Sequence, residues 1–568
     1  MPVMTEAPAI VRRIRESVIG EDEAILTPFG IRRVTYADYT ASGRSLTFIE
    51  DLIRDIVLPL YANTHTEASG TGRQTTRFRE DARSIIRSSV GAVAGEHAVI
   101  FAGSGSTGAI AKLIDCMELR IPAGATDRYD LGAAIAASDR PVVFIGPYEH
   151  HSNELPWRES VVDVVTVPED HDGRIDIDAL REALGRFADR PLKIGSFSAA
   201  SNVTGIVSDV AAIATMLHEH GALSFWDYAA AAPYLRIDMA TPARGPSYLD
   251  AVFISPHKFV GGPGTPGVLV ARKALFTNRV PSVPGGGTVA YVNPVEHRYL
   301  DDIETREEGG TPAIVESIRA GLVFQLKEAV GTEAIREREE RFIHAAMNRW
   351  EANPAIEVLG SHQLPRLSIV SFVVRHGERY VHHNAIVAML NDLFGIQARG
   401  GCSCAGPYGH RLLGIDLDTS RAFEREIARG CEGIKPGWVR VNFNYFIDDV
   451  VFDFIVDAVD LVASQGWKLL PLYDFDPAAG SWRHRAGVRE PTMSLADVRY
   501  HDGRMEFRDH RHREPVTRLA AYLDEARALL EGGPARPLGR SAALDVGTDF
   551  EGLRWFWLPD EVAVSASA

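Results

Sequence analysis

A chain of 568 residues is too long for one ordinary core and predicts two or three domains. Hydrophobic residues make up 45% and charged residues 24%, the balance of a globular protein, while a net charge of −16 argues against a nucleic-acid partner, which favours a basic face. No apolar run is long enough to span a membrane, the N-terminal stretch MPVMTEAPAIVRRIRESVIG lacks a signal-peptide core, and four cysteines with only one close pair predict a reducing cytoplasm and no disulfide framework.

From about Phe48 to Ala329, short apolar runs alternate with helical spacing. VVFIG (142–146), LKIGSFS (192–198), ALSFWDY (222–228) and AVFISP (251–256) read as strands, with IDALREALGRF and DVAAIATMLHEHG as helices between them. Such alternation predicts an α/β domain: a mostly parallel sheet covered on both faces, with ligands at the loops beyond the strand C-termini. One long helical pattern, roughly Ala313 to Trp350, leads out of this domain. A smaller α+β unit follows: strand SIVSFVV (368–374), helix HHNAIVAMLNDLFG, a glycine-rich cysteine loop, strand WVRVNFN and a helix from about Ile447. Beyond Gly466, DPAAGSW and EGGPARPLGRS read as linkers, and REPVTRLAAYLDEARALL as the one clear helix. VRYHDGRMEFRD fits a hairpin around Asp502-Gly503, RDHRHRE (508–514) a solvated face, and GLRWFWLPDEV an aromatic segment packed on the body.

Several predicted strand ends carry residues with chemistry. In FAGSGSTGAI (101–110) small residues join a strand to a helix, either as a flexible turn or as a cradle of amides for a phosphate. In SFWDYAAAAPY, Asp227 closes an apolar strand and must find a partner to stay ionised. In AVFISPHKFVGGPGTPGVLV, Lys258 follows a strand and precedes a glycine-rich turn. A lysine held there is either an ordinary surface residue or a partly desolvated amine nucleophile toward a carbonyl, which points to pyridoxal 5'-phosphate. In ARGGCSCAGPYGH (398–410), Cys402 and Cys404 lie one residue apart. A disulfide between them closes a very small ring, and zinc lacks a second Cys or His pair, so no metal is expected. If that segment is extended, alternation points both thiols to one side.

With these segments in order, the chain resembles the class V aminotransferases of fold-type I, nearest the sulfur-mobilising (group II) cysteine desulfurases, from about Tyr36 to the helix after Asn444. The resemblance implies an N-terminal segment (1–45) packing with the small domain, a large cofactor-binding domain (46–329) with a seven-stranded-type sheet, a small α+β domain (330–470), and an extension of unknown role (471–568). It implies that Gly105, Ser106 and Thr107, with Ser255 and His257, hold the cofactor phosphate. His150 in PYEHHSNELPW stacks on the pyridine ring, Asn202 in SAASNVTG bonds its phenolic oxygen, Asp227 pairs with its ring nitrogen, and Lys258 carries it covalently. Three residues after that aspartate the family usually has a glutamine; here it is Ala230. Thr311 in EEGGTPAIVESI matches a threonine that reaches the phosphate of the opposite subunit, which implies a homodimer; read alone, that segment is a helix start with Pro at N1.

In the cysteine loop, the pattern places Cys404 on the sulfur-accepting nucleophile and Arg399 on a substrate-binding arginine, with Arg440 in WVRVNFNY forking onto the substrate α-carboxylate. Cys402 is extra. The implied reaction removes sulfur from L-cysteine to give alanine and a persulfide on Cys404, handed on to an acceptor protein. His150 and Lys258 are the other residues expected to act on the substrate. Transamination, or C–S cleavage in another amino acid, is the alternative on the same cofactor; a non-catalytic partner protein is the third.

Overall fold

The computed structural model describes residues 8–64, 66, 68–131, 134–487, 493–507, 511–533, 535–536 and 547–565. The chain divides into two compact units, the first formed by 1–19, 39–340 and 360–367, the second by 20–38, 341–359 and 368–568. The N-terminal segment expected to travel with the small domain is therefore shared. Helix α1 (Ala9–Ser17) buries Val11 and Ile14 in the first unit, and the chain after it stays there through a bridge from Val18 to Leu46. Residues 20–38 then form an antiparallel hairpin, Glu23–Thr27 with Gly30–Arg33, in the second.

In the first unit, α2 (Gly70–Ser89) precedes a seven-stranded sheet of β1 (His97–Ala102), β2 (Val142–Ile145), β3 (Asp163–Thr166), β4 (Lys193–Ser198), β5 (Leu223–Asp227), β6 (Ala251–Ile254) and β7 (Gly267–Arg272). The spatial order is β1-β7-β6-β5-β4-β2-β3. Only β7 runs against its neighbours; the other pairings are parallel. β4 is buried along its whole length, as a strand covered on both faces must be. α3 (Gly105–Cys116) packs Ile110, Leu113 and Ile114 onto the sheet with Ile100, Phe253 and Leu269. The long helical pattern after residue 313 is two helices, α4 (Ile314–Val330) and α5 (Thr332–Glu351), because Gly331 takes a left-handed φ of 84° and ends the first.

In the second unit, β8 (Ile356–Val358), β9 (Ile369–His376), β10 (Arg379–Val381), β11 (Arg399–Gly401) and β12 (Trp438–Asn442) form an antiparallel sheet ordered β8-β9-β12-β11, with β10 also on β9. Helix α6 (His383–Phe394) buries Ile386, Met389, Leu390 and Phe394, and its left-handed Gly395 turns the chain back toward β11. The extension belongs to this unit. DPAAGSW is not a linker but the turn of a hairpin, Tyr473–Asp476 with Ser481–His484. Arg499–His501 pairs with Arg504–Glu506 around a left-handed Asp502-Gly503, and α7 (Leu519–Leu530) supplies the helix read from the sequence. Part of EGGPARPLGRS and residues 508–510 of RDHRHRE lie outside the described residues.

Candidate active site

Within the first unit, candidate residues lie at the C-terminal ends of β1, β2, β4, β5 and β6. β1 ends at Ala102 and α3 begins at Gly105, so Ser106 and Thr107 lie in its first turn. The Ser106 amide donates to Ser255 Oγ at 2.9 Å. Gly105 has a φ of 55°, and a Cβ there would sit 2.8 Å from both His257 Cε1 and Ser255 Oγ. Gly105, Ser106, Ser255 and His257 therefore line one small cradle at a helix N-terminus, the setting that suits an anion. Burial, helped by the charge of Lys258, pushes His257 down to about 4, so its ring is neutral.

His150 is tied to the same helix. Its Nδ1 accepts the Ser152 amide at 3.1 Å, and Ser152 Oγ meets Thr107 Oγ1 at 2.6 Å. An accepting Nδ1 leaves the proton on Nε2. Asp227 is the last residue of β5, 4% exposed, and accepts the Ala229 amide at 2.8 Å. Burial raises its carboxyl despite that amide and the charge of Lys258. Lys258 ends the short turn Pro256–Lys258 just past β6, on the strand beside β5. Asn202 is buried in the turn after β4, where Ser201 Oγ accepts the Val203 and Thr204 amides. Thr311 is exposed ahead of α4 and accepts from Asn63 Nδ2 at 3.2 Å; the helix begins after Pro312, at an Ala313 cap.

The sequence reading passed over Glu149, the residue before His150. Its carboxylate is 3% exposed and takes four hydrogen bonds: the Gly146 amide at 3.2 Å, the Ser198 amide at 2.9 Å, Ser198 Oγ at 2.6 Å and Asn153 Nδ2 at 2.7 Å. It clamps the loop after β2 to the end of β4. Burial, with a smaller push from Asp227, raises it to about 7 despite those bonds. The signal was in the motif: an acid next to an expected ring-stacking histidine.

In the second unit, Arg399 and Arg440 are register partners across β11 and β12. Asp38 lies between them, with Arg399 Nε on Oδ2 at 2.9 Å and Arg440 Nη2 on Oδ1 at 2.9 Å. Arg440 is 4% exposed, and burial lowers its pKa despite Asp38; the Arg399 side chain is 49% exposed. The cysteine loop is a tight turn and not an extended run. The Ala405 amide donates to Cys402 O at 3.1 Å, and Ser403 and Cys404 both have left-handed φ, 49° and 55°. Two positive φ values in the centre of a four-residue turn are the mark of type I′, which glycine and asparagine favour. Strict alternation therefore does not apply. Cys404 is exposed and Cys402 half-buried, both as free thiols. Among the described residues, the one grouping close enough to hold a metal ion is Asp170, His171 and Asp172, which includes neither cysteine.

The chain matches the family model for aminotransferase class-V over residues 35–422. A probable cysteine desulfurase of Halalkalibacterium halodurans is 27% identical over 378 residues, covering 66% of this chain and 84% of that protein. A cysteine desulfurase of Haloferax volcanii is 24% identical over 429 residues, covering 74% and 91%. The apo structure of a cysteine desulfurase from Thermococcus onnurineus superposes with a TM-score of 0.63 at 20% identity, covering 81% of this chain and 99% of that one. Among the described residues, no helix is long and apolar enough to cross a membrane.

Proposed function

This chain belongs to the aminotransferase class-V family, and from that premise we propose that it is a pyridoxal-phosphate-dependent cysteine desulfurase, taking the sulfur of L-cysteine onto Cys404 and releasing alanine. The residues fit that cofactor. The cradle that a Cβ at Gly105 would fill suits its phosphate, and Asp227, an acid whose carboxyl burial raises despite Lys258, suits its ring nitrogen. When bound, the cofactor supplies an electron sink for charge at the substrate α-carbon.

In this reading Gly105, Ser106, Thr107, Ser255 and His257 hold the phosphate. His150 covers the ring, Asn202 bonds its phenolic oxygen and Asp227 keeps its nitrogen protonated. Lys258 would hold the cofactor covalently and would move the proton at the substrate α-carbon. Arg399 and Arg440 orient the α-carboxylate. Cys404, as thiolate, attacks the substrate sulfur, and the C–S bonding pair returns to the carbon skeleton that leaves as alanine. The observation that carries the reading is an exposed Cys404 five residues beyond Arg399, in a chain whose strand ends also supply Asp227 and Lys258. Thr311, exposed beside Asn63, is proposed to complete the cofactor site of a second copy, making the protein a homodimer, which light scattering of the purified protein measures. A sulfur-acceptor protein completes the cycle.

The test is a single turnover with L-cysteine, trapping persulfide by alkylation and locating it by peptide mass. Wild type is expected to carry the label on Cys404 and release one alanine per label. Cys404→Ala is expected to lose both while keeping its cofactor absorption band. A keto acid in place of alanine moves the assignment to transamination or C–S lysis.

A further inference from the structure

Two arginines directly opposite each other on neighbouring antiparallel strands repel, and a sheet does not place them so without compensation. Here Arg399 and Arg440 are such a pair, and the compensation is Asp38, delivered from more than 350 residues away along the chain. Its delivery is specific. Thr35 and Tyr36 pair in parallel with Ile396 and Gln397, the Ala37 amide donates to Gln397 O at 3.0 Å, and Ala37 O accepts the Asn442 amide at 2.9 Å. The strand is thus wedged between the residues just before Arg399 and those just after Arg440, and its next residue is Asp38. That carboxylate is itself buried, 9% exposed. Arg399 meets it through Nε and Arg440 through Nη2, and the Arg399 side chain is half-exposed. Tyr36 adds a polar group at this junction, its hydroxyl donating to Asp38 O at 3.2 Å.

The charge balance is one carboxylate against two guanidinium groups, which leaves one net positive charge. We propose that Asp38 is a specificity-determining positioning residue: by neutralising one of the two opposed arginines, it restricts the pair to amino acids bearing a single carboxylate and disfavours those with a second acidic group. Without Asp38 the pair carries two positive charges a few ångströms apart, an arrangement that attracts a dicarboxylate more than a monocarboxylate. This rests on the proposed function for one point, that the ligand is an α-amino acid.

The experiment titrates the pyridoxal-phosphate-loaded protein with L-alanine and, separately, with L-aspartate, following the visible absorption of the cofactor, so no sulfur chemistry is needed. In wild type alanine is expected to bind more tightly than aspartate. In Asp38→Asn the ratio of aspartate Kd to alanine Kd is expected to fall about tenfold, equivalent to about 1.4 kcal/mol, and in Asp38→Glu to return toward wild type. A purely structural role would weaken both ligands alike and leave the ratio unchanged, which overturns the proposal. Should Asp38→Asn not fold, Arg399→Gln tests the same balance: its pair is neutral, and alanine affinity is expected to drop at least about tenfold; an unchanged alanine Kd overturns it. A loaded wild type that responds to neither amino acid overturns the amino-acid reading itself, and this inference with it.

Discussion

Glu149 shows what a single buried group adds to the site. Its folded pKa is raised from an ordinary 4.5 to about 7, chiefly by burial. A raised carboxyl is stabilising while protonated, so its contribution is complete below about pH 4.5 and is lost as pH climbs through 7. Cofactor-free wild type is therefore expected to lose on the order of 3 kcal/mol more unfolding free energy between pH 4.5 and 8 than Glu149→Gln does. Urea titrations of both proteins at the two pH values measure it, and equal losses would mean that the carboxyl is already ionised at low pH. The same buried acid explains a limit of the sequence. Lys258 and Asp227 could be singled out because each follows an apolar run that had to be a strand. Apart from its place beside His150, nothing local distinguishes Glu149 from a surface glutamate, because two of its four donors come from the distant Ser198. Asp38 was hidden for the same reason, its partners lying at 399 and 440.

At the scale of elements, the strands were legible because burial on both faces demands continuous apolar runs: LKIGSFS became Lys193–Ser198 and AVFISP became Ala251–Ile254. The breaks were less so. Gly331 stood inside a helical pattern, and only its left-handed φ divides α4 from α5; the tight turn at Pro477–Gly480 has the composition of a linker. EEGGTP was read for its threonine, yet its second acid does the structural work. Arg79 and Arg83 of α2 both pair with Glu308, whose Oε1 also accepts the Phe101 amide of β1 at 2.7 Å. Burial alone would raise this carboxyl, but Arg83 and Arg79 outweigh it and hold it below its usual range. The cluster pins α2 to the sheet edge. Glu308→Ala removes the one buried carboxylate that Arg79 and Arg83 share and leaves them chiefly the half-exposed Glu80, and a loss of about 3 kcal/mol is expected in chemical denaturation followed by circular dichroism. A loss under about 1 kcal/mol would mean that water replaces the carboxylate.

Across the whole chain, the extension after residue 470 is part of the second unit's core. Phe556 is fully buried, bridges to Tyr380 and lies edge-on to His382 at 4.6 Å, while Trp555 stacks on His382 at 5.3 Å and on His383 at 5.8 Å. Phe475 and Trp482 of the hairpin Tyr473–His484 also lie against His382, at 5.7 and 5.9 Å. The aromatic content of GLRWFWLPDEV predicted this packing; that it covers a histidine pair at the start of α6 did not follow from either segment alone. The arrangement has a consequence for pH. Burial pushes His383 down to about 3, and His382 well below its ordinary range through burial and its neighbour's charge. Depressed histidine pKa values mean neutral rings in the folded unit that take up protons on unfolding, so the contribution is whole above about pH 6.5 and declines as pH falls toward 3. For His383 this amounts to on the order of 3 kcal/mol by pH 4. His383→Phe keeps an aromatic ring against Trp555 and removes the titration. Its stability relative to wild type is expected to rise by about that amount between pH 7 and pH 4, read from denaturant midpoints at each pH. If the two proteins lose stability in parallel, His383 takes up its proton while folded, and the extension does not seal the ring from water.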